Sequence, residues 1–285
     1  MPANGIALID KPAGFTSHDV VAKLRGVLKT KKVGHAGTLD PDATGLLVIG
    51  VGQGTKLMNY LSGVTKSYST NVLLGQATTT DDAQGEVLET AEKSLIESLD
   101  EQQVRATVER FTGKQVQLPS RVSAKKIGGK KAYELVREGK EFELEPAEIE
   151  IGRIVLSNFK QGEFIEFDLE VDCSSGTFIR ALARDIGNAL GIGGHLTGLR
   201  RTKVGSFSLD DATDIQSAEP MTMLDATKQI MPIKEMTDSE ARDISFGRAL
   251  AIESPERFLG LVHGDRLVAI ASGGERLSPK TVFND

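Results

Sequence analysis

From Ile165 to Cys173 every second residue is apolar and every residue between is acidic. Successive side chains of a strand point to opposite faces. Ile165, Phe167, Leu169, Val171 and Cys173 therefore share one face, and Glu166, Asp168, Glu170 and Asp172 share the other. A helix would mix the two sets around its circumference. The run thus demands a strand with one buried and one wet face, which is the habit of antiparallel sheets.

The rest of the chain surrounds such a sheet with helices. IALID at residues 6–10 reads as a short strand, and Thr16 or Ser17 caps a helix running to about Lys29. Strands follow over 46–51 and 66–74, with DDAQG as a turn. Ser94 to Phe111 has helical spacing in Leu95, Leu99, Val104 and Val108. Thr177 to Leu190 is a second clear helix. Ile179, Leu182, Ala183, Ile186 and Leu190 form its core stripe, and Arg180 and Arg184 lie on other faces. FLGLVH and RLVAIAS, joined at Gly264-Asp265, predict a hairpin. The expected architecture is α+β: a central, largely antiparallel mixed sheet flanked by helices, with a small β-rich C-terminal domain. Residues 1–230 are expected to form the large domain and 231–285 the small one.

Composition narrows the function. With 285 residues, 39% of them hydrophobic, the chain can bury a sizeable core. No run approaches the roughly 18 apolar residues of a membrane span, and the N-terminus lacks a basic segment leading into an apolar one. A cytoplasmic protein is expected. The single Cys173 and four histidines offer no disulfide and no common metal-ligand spacing, so no metal is expected.

The net charge of −6 argues against a nucleic-acid partner, but its distribution reverses the argument. Residues 205–285 carry 8 Lys and Arg against 14 Asp and Glu, which accounts for all of the excess acid. The remainder is neutral and has two basic clusters: Lys23, Arg25, Lys29, Lys31 and Lys32, then Arg121, Lys125, Lys126, Lys130, Lys131, Arg137 and Lys140. One such cluster is usually a solvated face. Two of them flanking an acid-bearing loop point to a polyanion.

That loop is GHAGTLDPDATG, Gly34 to Gly45. Gly34, Gly37 and Gly45 permit unusual backbone angles, and Pro41 holds Asp40 extended, so the carboxylate is presented on a shaped loop. An isolated Asp-Pro would be read as a turn. GVGQGTK lacks the spacing of a phosphate-binding P-loop and reads as a strand end followed by a helix start.

The motifs LIDKPAGFTSHDVV, GHAGTLDPDATGLLVIGVGQGTK, KSY, SRVSAKK, CSSGTFIRALARDIG and HLTGLRRTKVG occur in this order. In this the chain resembles the TruB-type tRNA pseudouridine synthases over residues 5–208. The resemblance implies isomerisation of uridine 55 in the tRNA T-loop without a cofactor, on the T-arm stem-loop; nothing in the motifs requires a partner subunit, and a monomer is expected. It places Asp40 as nucleophile, Arg180 as its cationic partner and Tyr68 as an aromatic that stacks on the flipped base and moves a proton. It also gives His35 as the side chain filling the vacated stack, and Phe178 and Leu199 as walls of the uracil pocket. Lys11 is expected to brace the loop, and Arg121 and Lys126 to meet RNA. Two departures stand out: Phe178 replaces a common Tyr, and Pro119, Ser120 and Val122 replace a usual Pro-Pro-aromatic pattern. The acidic, short tail fits a reduced PUA-like domain. The rival readings are a tRNA-binding module without catalysis and a nucleotide-phosphate hydrolase. Asp40, Tyr68 and Arg180 together speak against the first, and the missing phosphate motif against the second.

Overall fold

The computed structural model describes residues 4–123 and 125–283, with the backbone alone for Lys126 and Lys131. The chain divides into two compact units. One holds Met1–Pro41, Gly45–Ser62 and Val204–Asp285, and the other Asp42–Thr44 and Gly63–Lys203.

The second unit is built on the strand that the alternating run predicts. Ile165–Cys173 lies between Lys66–Leu74 and Ala147–Gln161, antiparallel to both, and Gly113–Gln117 extends the sheet beyond Ala147–Gln161. Ile165, Phe167, Leu169, Val171 and Cys173 are all at most 3% exposed. Burying a side chain such as Phe167 or Leu169 stabilises by roughly 1.5–3 kcal/mol. A one-residue slip would lose this and bury four carboxylates instead, so the register is fixed. Helix Ile179–Ala189 covers the apolar face with Ile179, Leu182, Ala183 and Ile186, while Leu190 is only half-buried.

The stretch from Ser94 to Phe111 is not one helix. It breaks into Lys93–Glu97 and Glu101–Glu109, because Asp100 and Gln103 form a capping box that starts a new helix. The phase of the stripe changes accordingly: Ile96 is buried and Leu95 is 48% exposed.

In the first unit, Gly5–Lys11 pairs antiparallel with Thr44–Val51, which also pairs with Val33–Ala36. Helix Ser17–Val27 is capped by Thr16, reciprocally with Asp19, and packs Val20, Val21 and Leu24 onto these strands. The GVGQGTK motif ends the strand at Val51 and opens a 3-10 helix over Gly52–Tyr60. A Cβ on Gly54 would stand 1.9 Å from the Gly5 carbonyl oxygen, so close backbone approach rather than phosphate binding explains that glycine.

The predicted hairpin is present as Ser254–His263 and Arg266–Gly274. It belongs to a four-stranded sheet with Ile233–Glu235 and Ser278–Val282 that has its own apolar core. The 3-10 helix anchors this sheet: Lys56 donates to the Val282 carbonyl at 2.8 Å, and the Tyr60 ring meets Phe258 edge-on at 5.0 Å. Among the described residues no helix is long and apolar enough to cross a membrane.

Cys173 tests this packing directly. Burial pushes its thiol up to about 11, with a hydrogen bond from Thr177 and the charge of Lys66 opposing weakly. At neutral pH it is protonated and shielded. A thiol reagent should therefore label native protein negligibly and denatured protein at one site per chain; rapid native labelling would show that this face is open.

Candidate active site

Asp40 is half-buried, and the backbone on both sides of it is held. Before it, the buried Ser17 hydroxyl accepts from the Leu39 amide at 2.9 Å and donates to the Leu39 carbonyl at 3.2 Å. After it, the Pro41 carbonyl accepts from the Gly14 amide at 3.0 Å and from Lys11 Nζ at 2.9 Å. Lys11 is fully buried, and its ammonium also donates to the carbonyls of Pro12 and Phe15 at 2.9 and 2.6 Å. The expected bracing by Lys11 is therefore present. Gly37 and Gly45 adopt φ of +77° and +96°, a region that side chains resist. Gly34 does not: it lies in an ordinary strand, where a Cβ would meet only Thr55 at 3.8 Å. His35 sits half-buried on the same strand, opposite Ile49.

The other expected residues belong to the second unit. Tyr68 lies on the Lys66–Leu74 strand opposite Val171, and Tyr68 and Leu199 pack half-buried against the core beneath helix Ile179–Ala189. Phe178 is that helix's N-cap and lacks a capping side-chain bond of its own. The buried Gln117 takes over: its amide oxygen accepts from the Phe178 amide at 2.9 Å and its nitrogen donates to the Phe178 carbonyl at 3.1 Å.

Arg180 is 7% exposed, which rules out an ordinary surface arginine on the helix. Its Nη1 donates to the Thr80 carbonyl at 2.8 Å and lies 3.3 Å from an Asp82 carboxylate oxygen; Nη2 donates to the Val122 carbonyl at 2.7 Å. One turn on, Arg184 repeats the pattern, bridging Asp81 at 3.1 Å and the Leu118 carbonyl at 2.7 Å. Two arginines four residues apart thus engage two adjacent acids and hold the 118–122 loop over the helix start. Asp81 itself adopts φ of +60° to make this turn. In the sequence DDAQG reads as a simple turn, and nothing local singles out Asp81, Asp82 or Gln117. The signal was there in the paired spacing of Asp81-Asp82 and Arg180-Arg184.

Arg121 is exposed and stacks 5.5 Å from the Phe142 ring. The Lys126 side chain lies outside the described residues. Within the second basic cluster Lys130 and Lys140 bind Glu138 at 2.8 and 2.7 Å, and they hold that carboxyl at about 2. Glu138 therefore neutralises part of the charge that the sequence offers to a polyanion. The first cluster is exposed throughout.

Most of the chain matches family models of pseudouridylate synthases, which gives its class. The TruB family pseudouridylate synthase N-terminal domain matches residues 25–179, and the tRNA pseudouridylate synthase B C-terminal domain matches residues 180–236. The chain belongs to the TruB family. It is 43% identical over 98% of its length to the tRNA pseudouridine synthase B of Corynebacterium diphtheriae, covering 95% of that protein. It is 47% identical, again over 98%, to that of Mycobacteroides abscessus, covering 96% of it. Among solved structures, one of a Cbf5–Nop10–Gar1 complex aligns with a TM-score of 0.73 at 22% identity, covering 98% of this chain and 85% of the matched chain; it shares the fold.

Proposed function

We propose that the chain converts uridine 55 of the tRNA T-loop to pseudouridine, with Asp40 as nucleophile, as a cytoplasmic monomer needing no cofactor. The observation that carries this is the two-sided fixing of Asp40 by Ser17 and Lys11 in a member of the TruB family. Binding alone would not need a carboxylate held at both neighbouring residues.

The reaction breaks the bond from N1 to C1′ and forms one from C5 to C1′; C5 loses a proton and N1 gains one, so the formula is unchanged. A carboxylate can attack the nucleoside and later leave. The uridine must first leave its stack, at a cost of a few kcal/mol. His35 fills the gap, Tyr68 stacks on the extruded base, and Phe178 and Leu199 wall the pocket. Arg180 serves as the cationic partner of Asp40. Tyr68 moves the proton. Arg121 and Lys126 hold the phosphate backbone, and residues 231–285 act as a reduced PUA-like domain that adds modest affinity.

The test is incubation with a T-arm stem-loop and chemical mapping of pseudouridine, beside the same RNA with cytidine at position 55. Product at that uridine alone is expected. Unmodified RNA, with binding retained, would leave only the tRNA-binding reading.

Asp82 gives a second prediction. Asp82→Asn removes the charge that orients Arg180 but leaves the Thr80 and Val122 carbonyls in place. A small displacement of a catalytic group is worth up to about a hundredfold in rate. Single-turnover rates should fall roughly tenfold to a hundredfold with little change in KM, and Asp82→Glu should recover part of the loss.

A further inference from the structure

Arg201 is the largest fully buried side chain among the described residues, 1% exposed, on a strand next to that of Tyr68. Its guanidinium hydrogen-bonds the Tyr68 side chain. Arginine carries only donors and stays protonated, so the phenol oxygen must be the acceptor. The hydroxyl proton is then directed away from Arg201.

The surroundings reinforce this polarity. Two residues before Tyr68, on the same face of its strand, the buried Lys66 donates to the Val64 carbonyl at 2.7 Å. Burial first, and Arg201 second, hold the Lys66 ammonium below the usual lysine range. On the neighbouring strand Val171 stands opposite Tyr68, and Cys173 stands opposite Lys66. The helix packed on this face carries Arg180 and Arg184, engaged with Asp82 and Asp81. Desolvation pushes the Arg201 guanidinium below its ordinary value, and Tyr68 pushes it back up. By reciprocity, the guanidinium favours the ionised phenol.

We infer that Arg201 is a positioning residue for Tyr68: it locks the phenol oxygen as a hydrogen-bond acceptor and so orients it for proton exchange with the nucleoside. The inference rests on the reading of Tyr68 as the proton carrier. It assigns the fully buried arginine of HLTGLRRTKVG to the reaction rather than to RNA contact.

The sequence makes a direct test possible, because it has three tyrosines and no tryptophan. With Tyr60→Phe and Tyr133→Phe in place, Tyr68 is the only phenol, and its ionisation is read from ultraviolet absorbance without any RNA. Arg201→Met should raise the titration midpoint by about one pH unit or more, the effect of removing an adjacent opposite charge. Arg201→Lys should recover part of that shift. If Arg201→Met fails to fold, Arg201→Gln carries the same expectation. On a T-arm stem-loop, Arg201→Met should slow turnover about tenfold at neutral pH with KM little changed. It should add nothing in a Tyr68→Phe background. An unmoved midpoint, or additive losses, would overturn the inference. Wild-type turnover by Tyr68→Phe would instead remove the role of Tyr68 itself, which separates the two failures.

Discussion

Asp40→Asn should bind a T-arm stem-loop as tightly as the wild type, or slightly more tightly, and make no detectable pseudouridine. The substitution preserves shape and the capacity to accept a hydrogen bond, so the bonds of Ser17 to Leu39 and of Lys11 to Pro41, all made to backbone, stay intact. What it removes is nucleophilicity: an amide oxygen cannot form the covalent bond that splits the isomerisation into two easier steps. Loss of a covalent nucleophile in comparable machinery lowers turnover by on the order of 10⁴-fold or more. Affinity is governed by cations on phosphates, and deleting one negative charge does not oppose it. Single-turnover conversion and filter binding, measured on the same RNA, check both halves. Product at more than a few per cent of the wild-type rate would exclude Asp40 as nucleophile.

The parts of the fold that were legible in sequence are those decided by neighbours a few residues apart. The Ile165–Cys173 alternation fixed which side chains are inside, and all five are. Thr16-Ser17 ahead of an apolar stripe marked a helix start, with the structure choosing Thr16 as the cap, and Gly264-Asp265 between two apolar runs marked a hairpin. The errors came where local signals were ambiguous or partners were distant. Leu95 and Val104 share a helical period whether or not the helix breaks between them, and only the Asp100–Gln103 capping box decides that it does. Arg180 falls off the apolar stripe and so reads as solvated. Its burial depends on Asp82, Thr80 and Val122, 58 to 100 residues away in the chain. The same holds for Arg201, which reads as one basic residue among several in its motif and is the deepest of them. Charged side chains go inside only when long-range partners receive them, and those partners are invisible to periodicity.

Lys11→Met is the substitution expected to connect stability with catalysis most directly. The ammonium is wholly buried and donates to three carbonyls, those of Pro12, Phe15 and Pro41. Hydrogen bonds to a charged group contribute about 1.5–3 kcal/mol each, and acceptors stranded in the interior add their desolvation cost. Methionine fills nearly the same volume but satisfies none of them. Among the described residues, the Pro41 carbonyl keeps a donor, the Gly14 amide. A loss of roughly 3 kcal/mol is therefore expected in denaturant unfolding. Catalysis should fall further than this global figure suggests, because the bond to Pro41 is one of the fastenings beside Asp40, and the Gly14 amide alone would then hold the Pro41 carbonyl. A nucleophile displaced by about 1 Å loses on the order of a hundredfold in rate. Lys11→Arg makes a sharper control than Met, since it keeps the charge while its planar fork cannot converge on three carbonyls as an ammonium does. It should fold better than Lys11→Met yet remain slow. If Lys11→Met proves stable in denaturant and turns over at the wild-type rate, the loop does not depend on this fastening, and the geometric case for Asp40 loses its main support.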